Sequence, residues 1–155
     1  MTAALRVSVK SYGVKYRQPI VAQFTVDARI LDNPNNVEEL KLYNGLYPDV
    51  AEYVLVQPIA GELLTGATII GLTHIDAALA RKQPEVVLAV FCTGGKHRSV
   101  AMAEELARLL RRRRPAVELR TEHLDIRTGR EQWPIPVEPP DLTGDDLLIE
   151  VDQAG

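Results

Sequence analysis

In this 155-residue chain, the stretch whose residue types and spacing could do chemistry is Cys92-Thr93-Gly94-Gly95-Lys96-His97-Arg98-Ser99. Two adjacent glycines let backbone N–H groups approach a ligand closely. Lys96, His97 and Arg98 bring positive charge to the same turn, and nothing acidic lies between Glu85 and Glu104 to neutralise it. A phosphate is the group such a turn would hold. The amides of Gly94, Gly95 and Lys96 would cradle it, Arg98 would grip it bidentately, and Thr93 and Ser99 would donate hydroxyl hydrogen bonds.

A second chemistry fits the same letters. A cysteine ending a strand, with an arginine six positions later and a hydroxyl residue beside it, is also the layout of a cysteine-dependent phosphatase. Cys92 would be the nucleophile, acidified by the helix N-terminus and nearby cations. Arg98 would clamp the transition state, and Asp27 or Asp125 would be the general acid. Phe91 and the bulk of Lys96-His97 depart from the tyrosine-phosphatase loop. An inert, buried Cys92 and a merely solvated basic triplet are the plainer alternatives.

The elements that must position this turn are readable on both sides of it. Residues 86–91 are apolar or small and rich in β-branched types, as in a strand buried on both faces of a parallel sheet. After the turn, Val100, Ala103, Leu106, Ala107 and Leu110 recur at helical spacing, and Ser99 is positioned as the N-cap. Cys92 and Thr93 then fall at the carboxyl edge of the sheet, where open α/β folds bind ligands.

Upstream, Leu5, Val7 and Val9 alternate with polar residues as a first strand, and residues 14–19 read as an irregular loop. A second strand is predicted over residues 22–31. On it Phe24, Val26, Ala28 and Ile30 share one face, and Thr25, Asp27 and Arg29 share the other. Asp27 and Arg29 form either a surface ion pair or a device for orienting a polar ligand, whose hydroxyls or amine Tyr16 or His123 could also read. Asn35 with Glu38 predicts a short helix over residues 37–42, and Asp49 with Glu52 opens another to about residue 56. Residues 59–81 are helix-spaced, with a break predicted near Gly66 and a structural or exposed His74. Arg111, Arg112, Arg113 and Arg114 close the helix after the site. They complement its dipole or, with Lys15 and Arg17, offer phosphate contacts to RNA. A last strand is predicted around Val117, Leu119 and Thr121.

Composition sets the remaining bounds. All 18 Lys and Arg lie at or before Arg130, with 14 acidic residues, so residues 1–130 carry +4, and residues 131–155 carry seven acidic residues and no basic ones. A body of +4 permits nucleic acid without arguing for it. Residues 1–130 therefore read as one α/β domain, a mostly parallel central sheet flanked by helices, and 131–155 as an extended or disordered acidic, proline-containing tail. One cysteine excludes an intrachain disulfide, and three scattered histidines give no metal site. No cofactor is called for. The N-terminal residues lack a signal-peptide core, and the uncharged stretch 63–75 is too short and interrupted to span a bilayer, so no membrane partner and a cytoplasmic location are expected.

The string from Cys92 to Val100 closely resembles the C-terminal domain of the RapZ family of RNase adapter proteins. The resemblance extends through Ser11-Tyr12-Gly13, Lys15-Tyr16, Asp27-Ala28-Arg29, Asn33-Pro34, Gly45-Leu46 and the helix at Ala103, covering about residues 8–125. It implies a domain similar to the carboxyl lobe of phosphofructokinases and a pocket for a phosphorylated amino sugar such as glucosamine-6-phosphate. It also implies small-RNA binding, protein partnering and homo-oligomer formation. Thr93, Gly94, His97 and Arg98 match the family's metabolite pocket, and Tyr16 falls where the enterobacterial member has a pocket histidine. The family's Walker-type string is absent here, so nucleotide hydrolysis is not carried over. Arg17 replaces a glycine, Arg120-Thr-Glu-His123 replaces a His-Arg pair, and the acidic tail replaces a basic terminus. The last two changes weaken RNA binding more than metabolite binding.

Overall fold

The computed structural model describes residues 4–130. The acidic segment 131–155, expected to be extended, lies outside the described residues. Four strands form one sheet in the order β2-β3-β1-β4, where β1 is Arg6–Gly13, β2 Phe24–Asp27, β3 Glu85–Cys92 and β4 Glu118–His123. Every neighbouring pair is parallel, so the sheet is wholly rather than mostly parallel. Three helices flank it: α1 (Pro48–Leu55), α2 (Pro58–Ala80) and α3 (Arg98–Arg113).

The core follows the period-2 pattern of the central strands. Val7 and Val9 of β1 lie in register with Val86 and Leu88 of β3. All four are essentially inaccessible, and they join Ile75, Met102, Leu106 and Leu110 from the helices in one apolar cluster. Because all strands run the same way, Gly13, Asp27, Cys92 and His123 end at one edge. Chain reversals there must supply the site.

Three local expectations are corrected. The second strand spans four residues rather than the ten predicted. Its inward alternation holds for Val26 and Ala28, then breaks at a turn closed by the Leu31 amide on the Ala28 carbonyl, which leaves Ile30 exposed. The helix expected over residues 37–42 is a series of turns after a 3-10 turn at Pro34–Asn36, where the Asn33 side chain accepts from the Asn35 amide. Asn33, not Asn35, is the cap.

The third correction is α2, which runs unbroken through Gly66 for 23 residues. Its buried stripe is Ala60, Leu64, Ala67, Gly71, Ile75 and Ala78, at spacings of three and four. Small residues on this stripe let the helix sit close to the sheet. A Cβ on Gly71 would come within 3.1 Å of Leu88 and 3.3 Å of Leu110. Tertiary packing therefore overrides the intrinsic cost of the glycines. By length and apolar composition α2 could cross a membrane, yet here this stripe is seated in the domain core.

A Cβ on Gly61 or Gly66, by contrast, would meet nothing within 4 Å. Gly66→Ala should therefore stabilise the protein by about 0.5–1 kcal/mol through helix propensity and a less flexible unfolded chain. Urea unfolding would show a higher midpoint with an unchanged slope; a lower midpoint would mean that this face of α2 is packed after all.

Candidate functional site

The loop leaving β3 is held by backbone contacts before any side chain is considered. The Cys92 and Thr93 carbonyls accept from the amides of Val14 and Lys15, which follow β1. A Cβ on Gly13 would lie 2.6 Å from the Gly94 carbonyl carbon, and one on Gly95 would lie 2.7 Å from the Gly13 nitrogen. Gly95 also has φ +70°, a left-handed conformation that glycine adopts without strain. On the other side, the Gly45 amide donates to the Lys96 carbonyl at 2.8 Å. The glycines of the motif thus serve first to bring three chain segments together.

The α3 helix starts at Arg98, two residues earlier than an N-cap at Ser99 would give, with His97 in the N-cap position and no side-chain cap. Ser99 is therefore not the cap. It is completely buried, and its Oγ accepts from the Cys92 thiol at 3.1 Å. The Gly95 amide donates to the Cys92 Sγ at 3.3 Å, which engages one of the amides expected to cradle a ligand. The first helix turn, uncapped, leaves its N–H groups without intrahelical acceptors.

A cavity of about 170 Å³ opens at this junction. Cys92, Thr93, Gly94, Lys96, His97 and Arg98 line it from the loop, Lys15 and Tyr16 from the segment after β1. Asn33, Asn35 and Arg130 complete the wall. These last three were not singled out as ligand contacts from the sequence. The turn chemistry of Asn33 was visible, but only its fold-back onto the β3 loop gives it a place in the cavity. Among the described residues no carboxylate lines the cavity.

Arg98 is 6% exposed, and its Nη1 donates to the carbonyls of Arg29 and Leu31, both at 3.0 Å. Its Nε is buried with no hydrogen-bond partner among the described residues. The Nε–Nη2 edge is the one that Arg17 and Arg29 use to hold carboxylates in this same chain. The His97 Nε2 is likewise buried and unpartnered. Burial first, and then the charge of Arg130, lowers the His97 pKa to about 4, so its ring is neutral at ordinary pH. Lys96 is 2% exposed; its ammonium donates to the Gly94 and Asp125 carbonyls and sits over the Tyr16 ring. Burial and the charge of Arg130 push its pKa below the usual lysine value.

Other candidates lie outside the cavity lining. Asp27 and Arg29 form an exposed bidentate ion pair, and the guanidinium of Arg29 stacks over Phe91. The hydrogen bonds from Arg29 hold the Asp27 carboxyl below the usual range. Asp125 is fully buried. Burial alone would raise its pKa, but Arg17, the Gly13 amide and the Thr128 hydroxyl outweigh that and keep it ionised. A general acid needs a proton, and both carboxylates are arranged to lack one. His123 bridges the Ser11 hydroxyl at 2.6 Å and Glu104 at 2.7 Å, with both ring nitrogens engaged.

Of the basic residues considered for RNA, Arg17 is engaged by Asp125 and the Leu124 carbonyl, and Arg114 by Asp76. Arg111 donates to the Leu119 carbonyl, while Lys15 lines the cavity. Arg112 and Arg113 are exposed at the end of α3. Among the described residues no group of three His, Cys, Asp or Glu side chains is placed to hold a metal ion.

Comparison with known proteins bears on the family of the chain. A family model for the RapZ C-terminal domain matches residues 5–127. A nucleotide-binding protein of Acidothermus cellulolyticus is 46% identical over 132 residues, covering 83% of this chain and 42% of that protein. A nucleotide-binding protein of Nocardioides is 40% identical over 130 residues, covering 84% and 42%. One from Streptomyces coelicolor is 45% identical over 129 residues, covering 82% and 41%. The chain thus spans about two fifths of the length of these relatives.

His97 gives a pH prediction. Its pKa is depressed from 6.5 to about 4 in the fold, so the unfolded chain binds the extra proton between those values. The stability contribution is present above pH 6.5 and lost as pH falls towards 4, by about 3 kcal/mol in all. His97→Gln should remove that part of the pH slope, read as the difference between wild-type and variant urea unfolding at pH 7 and pH 4.5. Gly95→Ala, strained and without space, should cost at least about 2 kcal/mol by the same measurement. Gly94→Ala, whose Cβ meets nothing within 4 Å, should cost under about 0.5 kcal/mol.

Proposed function

The chain belongs to the RapZ C-terminal domain family, and from that premise we propose that it binds a small phosphorylated metabolite in the cavity between β3 and α3. One observation carries the reading: among the described residues the Arg98 Nε and the His97 Nε2 are buried polar atoms without partners, at a cavity lined by Lys15, Lys96, Arg98 and Arg130 and by no acid. Leaving such groups unsatisfied costs about 1–3 kcal/mol each; an oxyanion would recover it at Arg98, and a polar substituent of the ligand at His97. The free edge of Arg98 takes two phosphate oxygens, the Gly94 amide and Thr93 hydroxyl take others, and neutral His97 donates or accepts at a sugar substituent. At about 170 Å³ the cavity is smaller than the roughly 300–1,000 Å³ typical for drug-sized ligands. That favours a phosphosugar such as glucosamine-6-phosphate over a whole nucleotide. The relatives' name of nucleotide-binding protein is compatible with the same phosphate chemistry. An RNA or protein adapter role belongs to the same reading, with Arg112 and Arg113 as the exposed cations for it.

Calorimetric titration with glucosamine-6-phosphate tests this. Arg98→Lys keeps the charge but loses the planar fork, and affinity should fall about 10- to 100-fold, while Cys92→Ser should bind as the wild type does. Unchanged affinity in Arg98→Lys, or no heat with any phosphorylated ligand, would overturn the reading. Turnover of an aryl phosphate that disappears in Cys92→Ser would replace it with a cysteine phosphatase.

A further inference from the structure

The cations of the cavity fall into two groups, fixed from opposite sides of the sheet. Arg98 is tied to the carbonyls of Arg29 and Leu31, in the chain that follows β2. Lys96 is tied to the carbonyl of Asp125, in the chain that follows β4. Those two strands are the edges of the sheet, three strand spacings or about 14 Å apart. Lys15 belongs with Lys96, since their ammonium groups lie over one ring, 5.6 Å and 4.5 Å from the centroid of Tyr16. Arg130 belongs there too: after burial, its charge and that of Lys15 disfavour the Lys96 cation. The Asp125 carboxylate acts on Lys96 in the opposite sense, but Arg17 holds it through two hydrogen bonds.

One phosphate does not match this set of charges. Lys15, Lys96, Arg98 and Arg130 bring four positive charges to the lining, and among the described residues no carboxylate joins them. A phosphomonoester carries about −1.5 to −2 at neutral pH, so roughly two positive charges stay unanswered. We propose that the site takes a ligand with two anionic groups, a phosphate at Arg98 and a second phosphate or a carboxylate among Lys15, Lys96 and Arg130. The proposal rests on the ligand reading above and narrows it. The class is a sugar bisphosphate or a phosphorylated sugar acid. An ammonium on the ligand would meet further cations, with no acid in the lining to receive it.

Two probes of one length isolate the second group. 6-Phosphogluconate and sorbitol 6-phosphate share a six-carbon chain and one phosphate, and differ in a carboxylate against a hydroxymethyl at the far end. Each is titrated into the full chain by calorimetry, with glucosamine-6-phosphate alongside, at 150 mM salt, where the Debye length of about 8 Å screens distant charges. 6-Phosphogluconate should bind about tenfold or more tightly than either of the others, the worth of one charge-assisted contact. Lys15 is exposed, so Lys15→Gln spares the fold, and it should cut the advantage over sorbitol 6-phosphate by about threefold or more. Arg98→Lys should weaken both members of the pair and keep their ratio. Equal affinities for the pair, tighter binding of glucosamine-6-phosphate, or an advantage undiminished in Lys15→Gln would each overturn the second anion group. The phosphate reading survives any of these so long as Arg98→Lys weakens binding. No binding of any of the three ligands would overturn both.

Discussion

The site depends on two strand ends touching backbone to backbone. Gly13 ends β1, and the Gly94-Gly95 turn leaves β3, with no room for a side chain between them. Gly45 wedges against the start of α3 from the opposite side, where a Cβ would overlap the His97 carbonyl oxygen. These approaches force the β3 loop to turn sharply and aim the first turn of α3 into the crevice at the sheet edge. Asp125 locks the arrangement, because its carboxylate takes the Gly13 amide while its carbonyl takes the Lys96 ammonium. Arg17 supplies the counter-charge to Asp125.

Two kinds of positive side chain result. Arg17, Arg29 and Arg114 each face a carboxylate, and their charge is cancelled locally. Lys96 and Arg98 instead donate to backbone carbonyls, with Lys96 also over the Tyr16 ring, and among the described residues neither donates to a carboxylate. A dipole fixes a cation in position but leaves its monopole in place, so the field at the cavity stays positive in a partly dry setting. The depressed pKa values of His97 and Lys96 have the same origin, since burial and a neighbouring positive charge both disfavour another cation there.

Much of this was legible in the chain, and the parts that were not share a cause. The strand, loop and helix around Cys92 could be read because apolar run, glycines and helical period all pointed the same way. The start of α3 could not be placed to the residue, because Ser99 has cap chemistry yet is drawn inside by the Cys92 thiol. Gly66 looked like a break because propensity is local, whereas α2 is held by a stripe of small residues on the sheet. Asn33, Asn35 and Arg130 reach the cavity only through long-range folding, for which one sequence carries no signal. The ion pair of Asp27 with Arg29 was readable as a pair, but only the register of β2 on β3 settles that it lies outside the cavity.

The bridge from Ser11 through His123 to Glu104 has a meaning for how the sheet assembles. The outer strand β4 reads Glu-Leu-Arg-Thr-Glu-His and has too few apolar residues to announce which of its faces should turn inward. A slip of one residue along β1 would swap Thr121 and His123 with their charged neighbours at little hydrophobic cost. Glu104 on α3 accepts from both Thr121 and His123, and Ser11 meets His123 across the strand pair. Those polar contacts exist in one alignment only. They act as a key that admits the edge strand in a single position, a task that greasy alternation performs in the strands at the centre.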